Sequence, residues 1–418
     1  MRVKELFKSI LLVALSLMSL WLAWNTWVYD PALLSAQRER QPGGKGMVSV
    51  LTAAARPGRA MVSSESGRRS VCYDASGMQV LYLRVSPVLG EVFGSASAPE
   101  NVSEAVWRSA LSGSGIYLEY FSAVPLGVLA GWLGASVAAF AEFEVSSLLA
   151  SAEPGGGVSL MFKDALSGGY YRSVCAADAG ALLGIIQEYE PDGSFFAFEG
   201  GAAYMDVPGE MIIRPGKLEL GLIGASNPLD GEKSMRVLRA VGMNPYSNSH
   251  TEQGGTVVYV DNACTLRILP GGAVRYSNRG EPGGPAWDRL VISEKPDNAA
   301  MIEFVRKIGD DALSQMIGDA EISFGEISVL PSGSVRIKFR YVAGGMQVYL
   351  NSGCAVDALI TDGRVAELNF EVRRYELLKE TAALIPMTQA ALLPRPGAAA
   401  EAAYLDDGDG VLTPAWVS

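Results

Sequence analysis

Few side chains in this chain could do chemistry, and the first to consider is its single histidine, His250. With one histidine, a Ser-His-Asp triad would have to use His250, and neither an HExxH motif nor a multi-histidine metal site can exist. His250 follows Ser247, Asn248 and Ser249 and lies just before a segment of strand character. Such a polar setting is typical of a solvated loop side chain. We therefore expect no catalytic role for it.

Glycine runs and acidic groups give equally weak signals of chemistry. The runs Gly155–Gly157 and Gly271–Gly272 lack the Lys-Ser/Thr ending of a phosphate loop and predict turns. Asp406 to Gly410 faintly resembles a calcium loop, but no glutamate follows at the right distance, so a tight hairpin turn is favoured. Acid pairs that could suggest a glycosidase are typical of solvated faces: Glu142 with Glu144, and Glu188 with Glu190. The sequence predicts no enzyme, no cofactor and no metal site.

Composition indicates a folded, acidic protein. The net charge is -11, so nucleic-acid binding is not expected. Apolar residues make up 49% of the chain and charged residues 19%, which is the balance of a globular protein. A length of 418 residues leaves room for two or three domains, each with its own core.

The first thirty residues predict a membrane anchor. Arg2, Lys4 and Lys8 precede an uncharged, mostly apolar run over residues 9–29, which as a helix would span roughly 30 Å, the thickness of a bilayer core. Because the cations come first, residues 1–8 are expected in the cytoplasm and the chain from Asp30 onward outside. A cleaved signal peptide is the alternative, although large aromatic residues occupy the place of a cleavage site.

Two sets of residues in this run have expected roles. An aromatic belt at the outer membrane interface is predicted for Trp21, Trp24, Trp27 and Tyr29. Small and polar residues, which let membrane helices approach and hydrogen-bond, give a candidate contact face of Ser16, Ser19, Ala23, Asn25 and Thr26. In the alternative interpretation, Asn25 and Thr26 already lie in water at the interface.

Four cysteines remain, and all are expected outside the membrane: Cys72, Cys175, Cys264 and Cys354. Their wide spacing suits long-loop disulfides in an oxidising compartment, with three possible connectivities. The tetrapeptide Arg-Ser-Val-Cys ends at Cys72 and occurs again ending at Cys175. This repeat suggests equivalent strands and a bridge between the two cysteines. Four buried free thiols are the alternative.

Patterning beyond the anchor predicts an α+β protein of several parts. Residues 30–59 form a polar stalk, followed by domains at 60–225, 226–285 and 286–418. In the first domain the alternating segment Met78–Val85 is typical of a strand, Val102–Leu111 of a helix and Ile116–Phe121 of a strand.

The later domains repeat one order of elements, a helix followed by antiparallel strands. A helix from about Leu229 to Val241 precedes strand-like residues from Gly255 to Ile268. A second apolar helical face contains Met301, Val305, Ile308, Ala312 and Met316. Strands are then predicted at Ile327–Leu330, Val335–Val342, Met346–Leu350 and Val365–Val372. We expect helices lying across antiparallel sheets.

Several segments resemble the YycH family, extracytoplasmic regulators of the WalK-type sensor histidine kinase of Gram-positive bacteria. The order and spacing of the segments carry the resemblance. They lie at Lys8–Pro31, Ser114–Pro125, Gly242–Val260, Tyr341–Leu350, Ile360–Tyr375, Leu384–Leu393 and Val411–Ser418. The last third also resembles the shorter sister family YycI, and its layout is similar to a PepSY domain.

The resemblance implies a single-pass regulator that binds the membrane, a WalK-type sensor kinase and a sister regulator of the YycI type. Its contacts would lie in and just outside the membrane, and no turnover would be involved. An exported protein that binds a ligand or a peptidase through a PepSY-like module is the alternative function.

Overall fold

Residues 56–417 are described by a computed structural model, apart from residues 66, 136–137, 281–288, 352 and 394–398. Within this part of the chain, no helix is long and apolar enough to cross a membrane. The predicted anchor at residues 9–29, with its aromatic belt and contact face, lies outside the described residues.

The N-terminal lobe, residues 56–213, is built on a seven-stranded antiparallel sheet. Its strands are β1 (Arg59–Ser63), β2 (Arg69–Cys72), β3 (Glu100–Val102), β4 (Gly115–Pro125), β5 (Glu144–Ala152), β6 (Gly157–Asp164) and β7 (Tyr170–Asp178). The spatial order is β2-β1-β4-β5-β6-β7-β3. Every neighbouring pair is antiparallel.

Helices cover both faces of this sheet. They are α1 (Ala75–Ser95), α2 (Glu104–Leu111), α3 (Leu126–Trp132) and α4 (Ala179–Ile186). Trp107 of α2 packs on Tyr117 and Tyr170, whereas Phe93 of α1 reaches Phe162 through Phe140. Leu118 shares the face of Phe162 by register, and adjacent residues of a strand point to opposite faces. Helices α1 and α2 therefore lie on opposite sides of the sheet.

Helix α1 corrects the prediction of a strand at Met78–Val85. Its buried residues there are Met78, Leu81, Tyr82 and Val85, a spacing of three and four that matches a helix and not a strand. Asp74 caps the first turn by accepting a hydrogen bond from the Gly77 amide at 2.8 Å. The apolar residues Val80 and Leu83 remain exposed, so the buried residues do not alternate along the segment.

The C-terminal lobe, residues 218–417, contains an eleven-stranded sheet. Its strands are β11 (Asn248–Thr251), β12 (Val257–Asp261), β13 (Cys264–Ile268), β14 (Ala273–Asn278), β15 (Glu321–Val329), β16 (Val335–Ala343), β17 (Met346–Leu350), β18 (Val356–Thr361), β19 (Arg364–Glu371), β21 (Glu401–Asp406) and β23 (Pro414–Val417). The order is β11-β12-β13-β14-β19-β18-β16-β17-β21-β23, with β15 also paired to β16. Strands β17 and β21 are parallel, and the other pairs are antiparallel.

Two helices pack together against this sheet, as the sequence predicts. They are α5 (Gly231–Ala240) and α6 (Asn298–Leu313). The five predicted apolar residues from Met301 to Met316 are all buried. Strands β14 and β19 pair directly, so the predicted boundary at residues 285/286 falls within one continuous sheet. The central and C-terminal segments share that sheet.

Smaller sheets complete the fold. Strands β10 (Leu218–Ser226), β20 (Arg374–Leu384) and β22 (Gly410–Leu412) form a three-stranded sheet in the order β20-β10-β22. Strands β8 (Phe195–Phe196) and β9 (Ile212–Ile213) form a pair, and a short helix α7 spans Met387–Ala390. All described residues belong to one compact unit with a shared apolar core.

The structure holds all four cysteines as free thiols. Cys72 lies on β2 and Cys175 on β7, and four strands separate β2 from β7 in the sheet. Five strand spacings amount to about 24 Å, whereas a disulfide needs Cα atoms within about 7 Å. The bridge suggested by the repeated Arg-Ser-Val-Cys does not form in this topology.

Candidate functional site

His250 is exposed on β11, which is an edge strand of the eleven-stranded sheet. No group of three or more His, Cys, Asp or Glu side chains able to hold a metal ion occurs among the described residues. Glu188 forms an ion pair with Arg84 of α1, and the backbone of Glu144 donates to Asp164 Oδ1 at 3.1 Å.

The acidic turn at Asp406–Gly410 belongs to a structural cluster, which we call the C-terminal latch: Arg373, Tyr375, Asp406 and Asp409. Arg373 donates to both oxygens of Asp406, from Nε at 2.9 Å and from Nη2 at 3.0 Å. Its Nη1 reaches Asp409 Oδ1 at 2.6 Å, and the Tyr375 hydroxyl donates to Asp406 Oδ2 at 2.7 Å. The chain bends at residues 408–409, but β21 and β22 on either side belong to different sheets, so the predicted hairpin turn is wrong.

The latch joins the two C-terminal sheets. Asp406 ends β21 of the eleven-stranded sheet, and Arg373 precedes β20 of the three-stranded sheet. Both Arg373 and Asp406 are buried. Because buried charges are costly unless paired and hydrogen-bonded, this cluster depends on all of its partners being in place.

A second ionic cluster lies where the N-terminal lobe meets the C-terminal lobe, and we call it the lobe junction: Arg59, Glu119, Tyr349 and Glu401. Arg59 Nη2 of β1 donates to Glu119 Oε1 of β4 at 2.7 Å. Within the C-terminal lobe, the Tyr349 hydroxyl donates to Glu401 Oε2 at 3.4 Å. Burial and the nearby Glu119 carboxylate raise the pKa of Glu401, and the nearby Arg59 only partly offsets them. Two carboxylates therefore share one guanidinium.

Further contacts hold the lobes together beside this cluster. Arg56 forms an ion pair with Glu321 of β15, and the Ser122 hydroxyl of β4 donates to the Phe324 carbonyl at 2.6 Å. Trp132 Nε1 of α3 donates to Glu303 of α6 at 3.3 Å. Arg56, just before β1, thus takes part in the contact between the lobes.

An open groove of about 490 Å³ lies on the N-terminal sheet beside α2. Small residues of α2 form one wall, the turn between β5 and β6 forms the other, and β6 and β7 provide the floor. Its lining includes Ala105, Val106, Ser109, Ala110, Gly113, Ser151, Ala152, Met161, and the oppositely charged Glu153 and Arg172.

No protein-family model and no curated protein sequence matches this chain. Among solved structures, the crystal structure of YycH from Bacillus subtilis matches with a TM-score of 0.58 at 10% sequence identity. The match covers 88% of this chain and 94% of that chain. The fold is that of YycH. The resemblance in the sequence is therefore confirmed at the level of the fold.

Within this YycH-like fold, the predicted site residues are not brought together into one centre. The membrane contact face and the aromatic belt lie outside the described residues, and the four cysteines lie on separate strands and loops. Sequence reasoning missed the latch, the lobe junction and the groove. Arg373 is separated by 33 residues from Asp406, and Arg59 by 60 from Glu119, so no local spacing could indicate either pair.

Proposed function

We propose that this protein is a membrane-anchored, non-enzymatic regulator of a WalK-type sensor histidine kinase. The observation that carries the proposal is the match to YycH over nearly the whole of both chains. The resemblance of the sequence segments to the same family supports it independently. The predicted orientation, with residues 1–8 in the cytoplasm and the two lobes outside, suits a regulator of a membrane-bound kinase.

The proposed mechanism is a shift of the kinase between two signalling states. A ligand or partner moves such an equilibrium only by its difference in affinity for the two states, and a few kcal/mol suffice. The anchor would supply contacts through Ser16, Ser19 and Ala23, with Asn25 and Thr26 adding polar contacts near the outer interface. The ectodomain would bind the sister regulator of the YycI type.

Contacts between the lobes support a role of the ectodomain in positioning the anchor. Arg56, which precedes β1 in the chain, pairs with Glu321 of the C-terminal lobe. Contacts made by a partner on either lobe would therefore act close to the start of β1. An interface of this kind transmits small displacements because close-packed side chains are hard to compress.

Photocrosslinking in living cells tests the proposal. Probes replace single residues from Leu15 to Asn25 in the full-length chain, and captured partners are identified by mass spectrometry. We expect capture of a sensor kinase from positions 16, 19 and 23. Met18, which a helix of 100° per residue places on the opposite side, is the matched control. Capture of lipid alone at every position would contradict the proposed contact.

Soluble ectodomain gives a second test. If membrane contacts are required, secretion of the ectodomain without residues 1–29 restores less kinase regulation than the anchored chain in cells that lack this protein. Equal regulation by both forms would show that the anchor is only a tether.

A further inference from the structure

The groove beside α2 carries an ion pair between two rigid elements. Glu153 lies in the turn after β5, where its amide donates to the Gly157 carbonyl at 2.8 Å. Arg172 lies on β7, paired in register with Met161 on one side and with Glu100 on the other. Arg172 Nη2 and Glu153 Oε1 are 2.7 Å apart, and about a third of each side chain is exposed. The two charges are therefore fixed in position and accessible from the groove.

The guanidinium of Arg172 has a donor that makes no hydrogen bond among the described residues. Its Nη2 contacts Glu153, but its Nε is screened from solvent and has no acceptor among the described residues. A guanidinium binds a carboxylate best through two parallel hydrogen bonds, and a buried donor without an acceptor is costly. The part of the guanidinium that remains exposed in the groove is open to the carboxylate of a ligand.

The other groups around Arg172 are acidic. Glu153 contacts it directly, and Glu100 is its cross-strand neighbour on the same face. A purely anionic ligand would face both carboxylates, whereas a ligand with an ammonium beside its carboxylate would meet a partner for each charge. The ammonium and the carboxylate of a free α-amino acid are attached to the same carbon atom, so its two charges lie side by side, as do those of Glu153 and Arg172.

The remainder of the groove is lined by apolar or small residues. Ala105, Val106 and Ala110 of α2 form one side, and Ala152 with the buried Met161 forms the opposite side and floor. Its volume of about 490 Å³ lies within the range of small-molecule sites. An aliphatic side chain placed there would be removed from water, which favours binding.

We propose that this groove binds a free α-amino acid with an aliphatic side chain. The ligand carboxylate binds Arg172, its ammonium binds Glu153, and its side chain lies between α2 and the β5–β6 turn. The partly exposed ion pair loses little when a ligand replaces each partner, because such pairs contribute weakly in water. The site is independent of the proposed kinase regulation.

Saturation-transfer NMR on the full-length protein in nanodiscs tests the proposal, with L-leucine as the probe. We expect saturable binding in the millimolar range. N-acetyl-L-leucine lacks the ammonium and L-leucinamide lacks the carboxylate, so each should bind at least about tenfold more weakly. This comparison uses one unaltered protein, so it does not depend on the folding of a variant.

Three variants complete the test. Arg172→Gln should weaken L-leucine binding by about tenfold or more, and Ser109→Trp should abolish it by filling the groove. Arg108→Gln is the matched control, because Arg108 is an exposed residue of α2 that pairs with Glu104 and does not line the groove. Thermal melting confirms that each variant is folded. Absence of saturable binding, or equal binding of L-leucine and both derivatives, overturns the proposal.

Discussion

The C-terminal latch and the lobe junction are each built from an arginine, a tyrosine and two carboxylates, but they differ in how those carboxylates are hydrogen-bonded. In the latch, the buried Asp406 accepts two hydrogen bonds from Arg373 and one from Tyr375. At the junction, Arg59 donates to Glu119, whereas Glu401 accepts only a 3.4 Å bond from Tyr349 and has a raised pKa. A buried charge is costly unless it is paired and hydrogen-bonded. We infer that breaking the latch costs more stability than breaking the junction.

The largest expected effect is loss of the latch. Arg373→Met leaves Asp406 buried without its cation, which should lower the free energy of unfolding by about 3–5 kcal/mol. Arg374→Met is the matched control, since Arg374 is more exposed and pairs with Glu376 at the surface; it should cost at most about 1 kcal/mol. Urea denaturation of both variants measures the difference. Equal losses would show that Arg373 has no special role.

The apolar packing of α1 allows the stability cost of a buried leucine to be compared with that of an exposed one. Leu81→Ala should cost about 2–5 kcal/mol because Leu81 is fully buried, whereas Leu83→Ala should change stability by about 0.5 kcal/mol or less. Leu83 is 62% exposed. The same denaturation experiment also decides between helix and strand, because a strand would place both leucines on one face. Similar costs at both positions would contradict the helix.

The raised pKa of Glu401 at the lobe junction should make the free energy of unfolding depend on pH. Because burial and Glu119 raise the folded-state pKa of Glu401, its stabilising contribution is present at acidic pH and is lost as pH rises through that pKa. Glu401→Gln should therefore flatten the curve of unfolding free energy against pH between the unfolded and folded pKa values. The effect should be smaller than that of breaking the latch.

Glu367→Gln provides the control for this pH profile, since Glu367 is exposed on β19. Its curve should follow that of the unaltered protein. If Glu401→Gln leaves the pH profile unchanged as well, the two carboxylates at the junction are independent.

The smallest effect is expected from reducing agents. The four cysteines are free, so the melting temperature should be the same with and without a reductant. Burial raises the pKa of the Cys72 and Cys175 thiols to about 11, so both should react slowly with a thiol reagent in the folded protein. Four thiols should be titrated after denaturation without reduction. A smaller number would indicate a disulfide.

Local elements could be predicted from the sequence wherever apolar spacing and a capping residue agreed. Helix α6 follows Asp297, whose side chain accepts from the Ala300 amide at 2.7 Å, and its buried residues recur every three or four positions. Strand β17 has the predicted bounds, Met346–Leu350. Helix α1 contradicts the strand predicted at Met78–Val85, in which Val80 and Leu83 are apolar but exposed. Sequence does not distinguish an exposed apolar residue from a buried one.

The sequence by itself determined the inventory of chemistry and the local elements, since both depend on residue types and spacings within about ten positions. One histidine excludes multi-histidine metal sites, and the apolar periodicity predicts helices α5 and α6. Tertiary structure alone decided the strand order, the pairing of Arg373 with Asp406 and of Arg59 with Glu119, and the meeting of Glu153 with Arg172. These contacts join residues far apart in the chain, and only the pairing of strands and the packing of sheets bring them together.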